Sequence, residues 1–222
     1  MRSAPLVKVC CIASLEEARL AIDAGAAAIG LVSAMPSGPG VIDEATIAAI
    51  AAAVPREVQT FLLTAHTDSL AIAHQHRRCR TTTIQLVDTL APRELRDLRR
   101  ALPSRVRLVQ VVHVTGVSAL DEALAAAPMV DALLLDSGNP ALAVKQLGGT
   151  GRTHDWAVSR EIVDRAGVPV WLAGGLNPGN VAEAIATVRP HGVDLCNGVR
   201  DGEGRLDATK LRAFCDAAHP PR

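Results

Sequence analysis

Two cysteines and one aspartate carry the side chains best suited to acid–base chemistry in this sequence. Cys10 and Cys11 end the run "LVKVCC", and Asp136 ends "DALLLD". A thiolate can act as a base, and the ammonium group of a nearby lysine such as Lys8 favours the thiolate form. A partly buried carboxyl group can keep its proton near neutral pH and act as a general acid. The alternatives are cysteines that pack as small apolar residues and an aspartate that caps its own loop.

Three glycine-rich segments form a second group of candidates: "LGGTGRTHDW" (147–156), "AGGLNPGN" (173–180) and "CNGVR" (196–200). Glycine lets the backbone approach a ligand closely and present its N–H groups to an anion. We expect Gly174, Gly175 and Asn177 to supply part of a phosphate site, which Gly198 and its neighbours close from the other side. The alternative is that these glycines only make tight turns.

Histidines and an arginine supply candidate substrate contacts. His66 lies in "LLTAHTDS", His113 in "VVHVTG", and Arg152 in the first glycine-rich segment. An imidazole can carry a positive charge or a proton near neutral pH, whereas the alternative for each residue is an exposed loop position. His74 and His76 lie in a helical pattern, where we expect them at the surface. The histidines, carboxylates and five cysteines lack the spacing of metal ligands, so we expect no metal site.

Short apolar runs alternate along the chain with segments of helical periodicity. Helix start signals agree, because Ser14 leads Glu17 as a capping box and Pro92 suits a first helical turn. The predicted strands are Leu6–Cys11, Ala28–Val32, Val58–Leu63, Thr83–Leu86, Val106–His113, Ala132–Asp136, Val170–Ala173 and Gly192–Cys196. The predicted helices are Leu15–Ala24, Ile42–Val54, Ser69–His76, Pro92–Leu102, Ser118–Ala126, Asp155–Ala166, Val181–Arg189 and Ala208–Ala217.

Eight strand-then-helix units in one chain predict an α/β fold, an eight-stranded parallel (β/α) TIM barrel that forms a single domain over residues 1–222. A doubly wound open sheet is the alternative, but its G-x-G-x-x-G turn is absent after the first strand, where the sequence reads "CCIASL". In a barrel, chemistry takes place at the carboxyl ends of the strands, and the last two loops frequently bind phosphate. The side chains of consecutive residues in a strand point to opposite faces of the sheet, so we expect Cys10 to face the barrel mouth and Cys11 the helices.

Composition narrows the class of partner. The 222 residues are 49% apolar and 21% charged, with 23 basic and 23 acidic side chains. A nucleic-acid or membrane-surface protein would need a net basic face, so we expect neither partner. No apolar stretch approaches the ~20 residues that span a bilayer, and the first residues are too short for a signal peptide. We therefore expect a cytoplasmic protein with reduced thiols, either a monomer or a homodimer.

Five segments taken in order resemble the phosphoribosylanthranilate isomerases of tryptophan biosynthesis: "KVCCIASLEEA", "DALLLDS", "LGGTGRTHDW", "LAGGLNPGNVAEAI" and "GVDLCNGVR". That family reads K-I-C-G-I-T, L-L-D-T, G-G-T-G-K-T-F-D-W, A-G-G-L-N-P-x-N-V and S-S-G-V-E. The resemblance implies that Cys10 is the general base, with Cys11 at the family's glycine, and that Asp136 is the general acid. It also implies contacts to phosphate or substrate from Gly149, Gly174, Gly175, Asn197 and Gly198.

Two segments depart from the family. After the second strand the family has P-K-S-P-R-Y, and in "AMPSGPGV" Gly40 takes the place of its substrate-binding arginine. After the fourth strand the family has Q-L-H-G, whereas this chain keeps Gln85 but has Val87 and Asp88. We expect weak binding of the anthranilate carboxylate unless His66, His113 or Arg152 compensates for the missing arginine. An arginine restored at position 40 should strengthen substrate binding if the local backbone tolerates a side chain. Lys8 and Gln85 are further candidate contacts.

The resemblance implies an Amadori rearrangement of N-(5-phosphoribosyl)anthranilate, an aldose-to-ketose isomerisation that needs neither cofactor nor metal. The partner is then a small phosphorylated sugar. Two alternatives follow from the departures: an isomerase or lyase that acts on another small phosphosugar, and a barrel that binds a phosphorylated metabolite without turning it over. Retention of both Cys10 and Asp136 argues against the last of these.

Overall fold

The computed structural model describes residues 4–36, 38–138 and 153–219. Within these residues, eight parallel strands close into a barrel in chain order, with β1 pairing with both β2 and β8. The strands are β1 (Leu6–Val9), β2 (Ala28–Val32), β3 (Gln59–Thr64), β4 (Thr83–Leu86), β5 (Arg107–His113), β6 (Ala132–Asp136), β7 (Val170–Leu172) and β8 (Gly192–Leu195). The TIM barrel predicted from the sequence is confirmed.

An α-helix follows each strand and packs on the outside of the barrel. The helices are α1 (Leu15–Asp23), α2 (Glu44–Ala53), α3 (Ser69–Cys79), α4 (Pro92–Ala101), α5 (Ala119–Ala126), α6 (Trp156–Arg165), α7 (Val181–Val188) and α8 (Ala208–Ala218). Short 3₁₀ turns cover Ala127–Met129 and Asn197–Val199. The α-helices run from eight to eleven residues. Among the described residues, no helix has the length and apolar character needed to cross a bilayer.

Strand alternation divides the apolar residues into two layers. Along β6, Leu133 and Leu135 pack against the helices, whereas Leu134 packs inside the barrel. On β5, Val109 and Val111 likewise face the interior. Side chains two residues apart therefore share a face, and this pattern carries the interior-facing positions up to the carboxyl ends of the strands, where the polar residues lie.

Helix ends follow local side-chain chemistry. Glu17 N–H donates to Ser14 Oγ at 3.1 Å, as a capping box predicts, although the Glu17 carboxylate accepts from Ala13 N–H at 2.9 Å rather than from Ser14. Pro92 is the first residue of α4, as predicted. Helix α2 begins later than predicted, because the Asp43 side chain caps it by accepting from Thr46 N–H at 2.7 Å.

Helix α3 extends past its predicted end at His76 to Cys79 and stops where Arg80 adopts a left-handed conformation, φ 57°. The expectation that His76 lies at the surface is wrong, since the side chain is buried and its Nε2 lies 2.8 Å from Thr81 O. Burial disfavours the imidazolium and lowers the pKa of His76. His74, two residues earlier in α3, is exposed as predicted.

Candidate active site

A cavity of about 310 Å³ opens at the carboxyl ends of the strands. Cys10, which follows β1, and Asp136, at the end of β6, both line it, and both are buried. A cavity of this size matches the range of small-ligand sites. The thiol and the carboxyl group singled out in the sequence therefore lie in one site.

The Cys10 thiol sits close to a buried cation. Cys10 N–H donates to Leu195 O at 2.8 Å, so the backbone still follows β8 one residue beyond β1. A Cβ atom placed on Gly30 of β2 would lie 2.6 Å from Cys10 Sγ and 3.1 Å from Lys8 Nζ. Glycine at position 30 leaves room for both groups, so the thiol and the ammonium group lie side by side.

Cys11 does not face the helices, so that expectation is wrong. Cys11 directly follows Cys10, the residue that still bonds to β8. Its φ angle of 63° ends the alternation of side chains between the two faces of the strand. Its side chain turns into the same cavity as Cys10, and its Sγ lies 2.7 Å from Cys196 Sγ. Three thiols, those of Cys10, Cys11 and Cys196, consequently line one cavity.

Asp136 ends β6, level with His113 of β5 in the strand register. Its Oδ1 accepts from Ser137 N–H at 2.7 Å, which is the loop-capping contact considered as the alternative. The carboxyl group nevertheless lines the cavity. Capping and a role in the site are therefore compatible, because one N–H bond uses only part of the capacity of two carboxyl oxygens.

The loops after β7 and β8 meet at one end of the cavity. Gly174 and Gly175 both have positive φ angles, 88° and 64°, and within the described residues neither N–H donates to a backbone carbonyl. Successive N–H groups turned this way form a concave anion site. A side chain on Gly198 would overlap Leu176 O, so the two loops are in direct contact. Asn197 also lines the cavity at this end.

Asparagine side chains hold the loop after β7. Asn177 Nδ2 and Asn180 Nδ2 donate to Gly175 O at 3.2 and 3.0 Å, and Asn180 Oδ1 accepts from Asn177 N–H at 2.9 Å. These contacts hold the carbonyl of Gly175 in place. The amides thus keep the loop in a conformation suited to an anion before any ligand binds.

The candidate substrate contacts divide into two groups. Gln85 lines the cavity, buried, and its Oε1 has no hydrogen-bond partner among the described residues. His66 is exposed and His113 is buried with its Nε2 3.1 Å from Val87 O, and neither lines the cavity. Gly149 and Arg152 lie outside the described residues.

Gly40 has no room for the arginine that the family carries there. Its φ angle is 73°, and a Cβ atom would lie 2.6 Å from Cys11 Cβ and 3.0 Å from Cys11 O. Both the backbone conformation and the contact with Cys11 exclude a side chain. The backbone at position 40 therefore does not meet the condition under which we expect a restored arginine to strengthen binding.

Asp194 was not singled out in the sequence. It lines the cavity from β8, and its Oδ2 accepts from Lys8 Nζ at 2.7 Å. Burial alone would lower the pKa of Lys8, but the carboxylate of Asp194 raises it above its ordinary value. We therefore treat the lysine as charged. The signal for this ion pair in the sequence was a lysine within the first apolar strand and an aspartate within the last.

Arg200 was missed as well. It occupies the position of the glutamate in the family's S-S-G-V-E, and its Nη1 donates to Glu17 Oε1 at 2.9 Å. Its Nη2 donates to the carbonyls of Cys10 and Cys11. The guanidinium therefore fixes the segment that carries the thiols. Within the described part of the chain, no group of three or more His, Cys, Asp or Glu side chains is arranged to hold a metal ion.

Known proteins are similar to this chain in fold and in sequence along nearly its whole length. The family model for N-(5'-phosphoribosyl)anthranilate (PRA) isomerase matches residues 7–217. The N-(5'-phosphoribosyl)anthranilate isomerase of Haloferax volcanii is 37% identical over 218 residues, which cover 97% of this chain and 94% of that protein. The phosphoribosyl anthranilate isomerase of Thermotoga maritima superimposes with a TM-score of 0.83 at 28% identity, covering 96% of this chain and 98% of the other.

A second crystal structure supplies a ligand for comparison. It is a phosphoribosyl anthranilate isomerase in complex with reduced 1-(o-carboxyphenylamino)-1-deoxyribulose 5-phosphate, with a TM-score of 0.80 at 26% identity over 96% of this chain and 98% of that one. The family model and the Haloferax relative each cover far more than half of the sequence. The chain belongs to the N-(5'-phosphoribosyl)anthranilate isomerase family.

Proposed function

We propose that this protein catalyses the Amadori rearrangement of N-(5'-phosphoribosyl)anthranilate, the isomerisation for which its family is named. One observation carries the proposal: a thiol, a carboxyl group and two glycine-rich loops line a single cavity at the catalytic end of the barrel. The related structure holds a reduced carboxyphenylamino-deoxyribulose 5-phosphate, which has the carbon skeleton of the product. We expect the same skeleton to occupy this cavity.

The phosphate binds at the end formed by the loops after β7 and β8. The N–H groups of Gly174 and Gly175, with Asn197 and Gly198 opposite, offer donors to an anion without requiring a cationic side chain. Because this end lies away from the reacting carbons, phosphate binding supplies positioning energy.

Asp136 and Cys10 carry the proton transfers. Asp136 gives a proton to the ring oxygen of the ribose, and the ring opens to an iminium ion. The Cys10 thiolate then removes the proton from the adjacent carbon, and the resulting enolamine tautomerises to the ketone. These two transfers require an acid that starts protonated and a base that starts deprotonated.

The aromatic ring packs against the apolar wall on the β2 and β3 side. Val32, Met35, Pro39 and Leu63 line the cavity there, across from the glycine loops. A flat anthranilate ring fits such a wall, and methionine adapts its shape to aromatic rings. Gln85, with an unpartnered Oε1 at the same site, accepts a hydrogen bond from the anthranilate nitrogen.

The remaining properties follow from this activity. The partner is one small phosphorylated sugar derivative, bound by a monomer or a homodimer. A biosynthetic enzyme with free thiols lining its cavity works in a reducing compartment, and we place it in the cytoplasm.

Complementation tests the function. The gene should restore growth without tryptophan to a bacterial auxotroph that lacks this isomerase, and purified protein should turn over phosphoribosylanthranilate that is generated in the assay. A known isomerase serves as the positive control. If that control works while this protein shows neither growth nor turnover, another phosphosugar becomes the favoured substrate.

A further inference from the structure

Two of the three thiols in the cavity have no part in the proposed reaction. Cys11 and Cys196 lie on different loops, after β1 and after β8, yet their sulfur atoms are 2.7 Å apart. That separation is well below the contact distance of two non-bonded sulfur atoms and approaches the ~2.05 Å of a disulfide bond. Both positions also depart from the family pattern, which has glycine in K-I-C-G-I-T and serine in S-S-G-V-E. The chain thus carries two cysteines, with their thiols in contact, that the proposed isomerisation does not need.

We propose that Cys11 and Cys196 form a redox-active dithiol, which a low-molecular-weight disulfide oxidises to a Cys11–Cys196 disulfide that lowers turnover at the neighbouring site. The formation of this disulfide does not depend on the proposed function, whereas the effect on turnover rests on it.

The reaction is a thiol–disulfide exchange in two steps. The Cys196 thiolate attacks one sulfur of the oxidant RSSR, giving a mixed Cys196–S–S–R disulfide and releasing RS⁻. Cys11 then loses its proton and attacks the Cys196 sulfur, which forms the internal disulfide and expels the second RS⁻. Two protein thiols are oxidised, the oxidant takes up two electrons, and the two released protons yield two RSH. A reducing thiol reverses both steps.

Cys196 is the thiol that meets the oxidant. It is partly exposed at the cavity mouth, whereas Cys11 is only 5% exposed. The hydrogen bond between Cys196 and Cys11 lowers the pKa of Cys196, against the effect of burial, and the positive charge of Arg200 acts in the same direction. Hydrogen bonds to Cys10 and Cys196 and burial raise the pKa of Cys11. One thiol is therefore the nucleophile and the other the resolving partner.

The disulfide acts on the reaction through its neighbours. Cys11 adjoins the proposed base Cys10, and Arg200 holds the carbonyls of both. Cys196 directly precedes Asn197 and Gly198, at the proposed phosphate end. Forming the bond draws the two loops together by part of an ångström and removes the Cys11 thiol from contact with Cys10. Displacement of catalytic groups on that scale lowers rates by about tenfold or more.

Peptide mass spectrometry after treatment with oxidised glutathione tests the bond. Trypsin should release residues 9–19, which contain Cys10 and Cys11, joined to residues 166–200, which contain Cys196. A Cys10→Ser variant should still give the joined peptides, whereas Cys11→Gly and Cys196→Ser should not. Cys11→Gly restores the family's residue at a positive φ angle that glycine accepts readily, so this variant should fold. Cys79→Ser and Cys215→Ser serve as controls, because these thiols lie outside the cavity.

Steady-state kinetics test the effect. Each protein is compared with its own reduced form, and oxidation should lower kcat/KM of the wild type about tenfold, reversibly with dithiothreitol. The ratio should stay near one in Cys11→Gly and Cys196→Ser. An equal loss in these two variants would locate the sensitive thiol at Cys10 and overturn the proposal, as would joined peptides that disappear in Cys10→Ser. If the reduced wild type has no isomerase activity but the joined peptides form, the proposed function fails while the dithiol stands.

Discussion

Lys8 and Asp194 form an ion pair that joins the first strand of the barrel to the last. The two residues face each other in the register of β1 and β8, with 2.7 Å between Nζ and Oδ2. Lys8 is fully buried, and its ammonium group lies 5.1 Å from the centre of the Phe61 ring. Charges removed from water in this way stabilise a fold only while both partners remain.

Replacement of Lys8 by methionine should therefore lower the free energy of unfolding by about 3–5 kcal/mol, since it leaves the carboxylate of Asp194 buried without a partner. Urea unfolding measures the change. The double variant Lys8→Met/Asp194→Leu should recover much of the loss. Arg205→Met is the matched control, because the Arg205–Asp201 pair is exposed and its loss should cost less than about 1 kcal/mol. A Lys8→Met cost as small as that of the control would contradict a structural role for the pair.

The proposed acid and base give a second prediction. Asp136→Asn and Cys10→Ser should each lower kcat by about a hundredfold or more, because Asn cannot release a proton and Ser is too weakly acidic to ionise at neutral pH. Inorganic phosphate should still protect both variants against thermal unfolding, since the glycine loops are unchanged. Retention of more than a tenth of wild-type turnover by either variant would remove that residue from the mechanism.

Arg200 should act on turnover through the segment that it holds. Arg200→Met frees the carbonyls of Cys10 and Cys11, and we expect kcat to fall about tenfold with a smaller change in KM. Arg200→Lys should recover part of the loss, because an ammonium can still reach one carbonyl. Equal behaviour of Arg200→Met and the exposed Arg205→Met would show that the contact has no effect on catalysis.

Introduction of an arginine at position 40 should harm the protein rather than improve substrate binding. The positive φ angle and the contact with Cys11 should lower the free energy of unfolding by about 2 kcal/mol or more. Gly116→Arg provides the control, because a Cβ atom there meets nothing within 4 Å. Thermal unfolding and KM are compared for both variants. A Gly40→Arg protein that is as stable as the control and has a lower KM would show that the loop after β2 can rearrange.

Stability should fall as the solution becomes acidic, with His76 as one cause. Burial places the pKa of His76 in the folded protein below the ~6.5 of an unfolded chain, so the unfolded state binds the proton more tightly. The stabilisation is complete above about pH 6.5 and is lost progressively as the pH falls from there through the lower pKa of the folded protein. Urea unfolding at several pH values should show a smaller slope for His76→Gln than for the wild type. His74→Gln, an exposed neighbour, should leave the slope unchanged.

The sequence predicted the barrel well because the periodicity of apolar residues is set by burial. Strands β2, β4 and β6 have the predicted bounds, and every predicted helix is present with its ends shifted by a few residues. Periodicity could not predict that Cys11 faces the cavity, because a positive φ angle in a non-glycine residue leaves no pattern in the sequence. The contact between Gly40 and Cys11 likewise arises from packing between two loops, which the periodicity of the sequence does not predict.

The candidate site was predicted where strand ends coincide with chemistry, as for Cys10, Asp136 and the glycine loops. His66 and His113 do not line the cavity, because position at a strand end does not fix where a side chain points, and their roles as substrate contacts stay predictions. His113 lies level with Asp136, yet its ring turns to Val87 O. Arg200 contacts residues almost 190 positions earlier in the chain, a partnership that only barrel closure creates.

The pairing of β1 with β8 also determines when the barrel can close during synthesis of the chain. Lys8 and Asp194 are 186 residues apart, so this edge of the sheet can close only after Asp194 has left the ribosome. Until then, one edge of β1 is open to pairing with another nascent chain. An inward-pointing charge on an open edge strand opposes such pairing, because a second strand would have to bury it without a partner. Lys8, which closes the finished barrel through Asp194, is such a charge on β1.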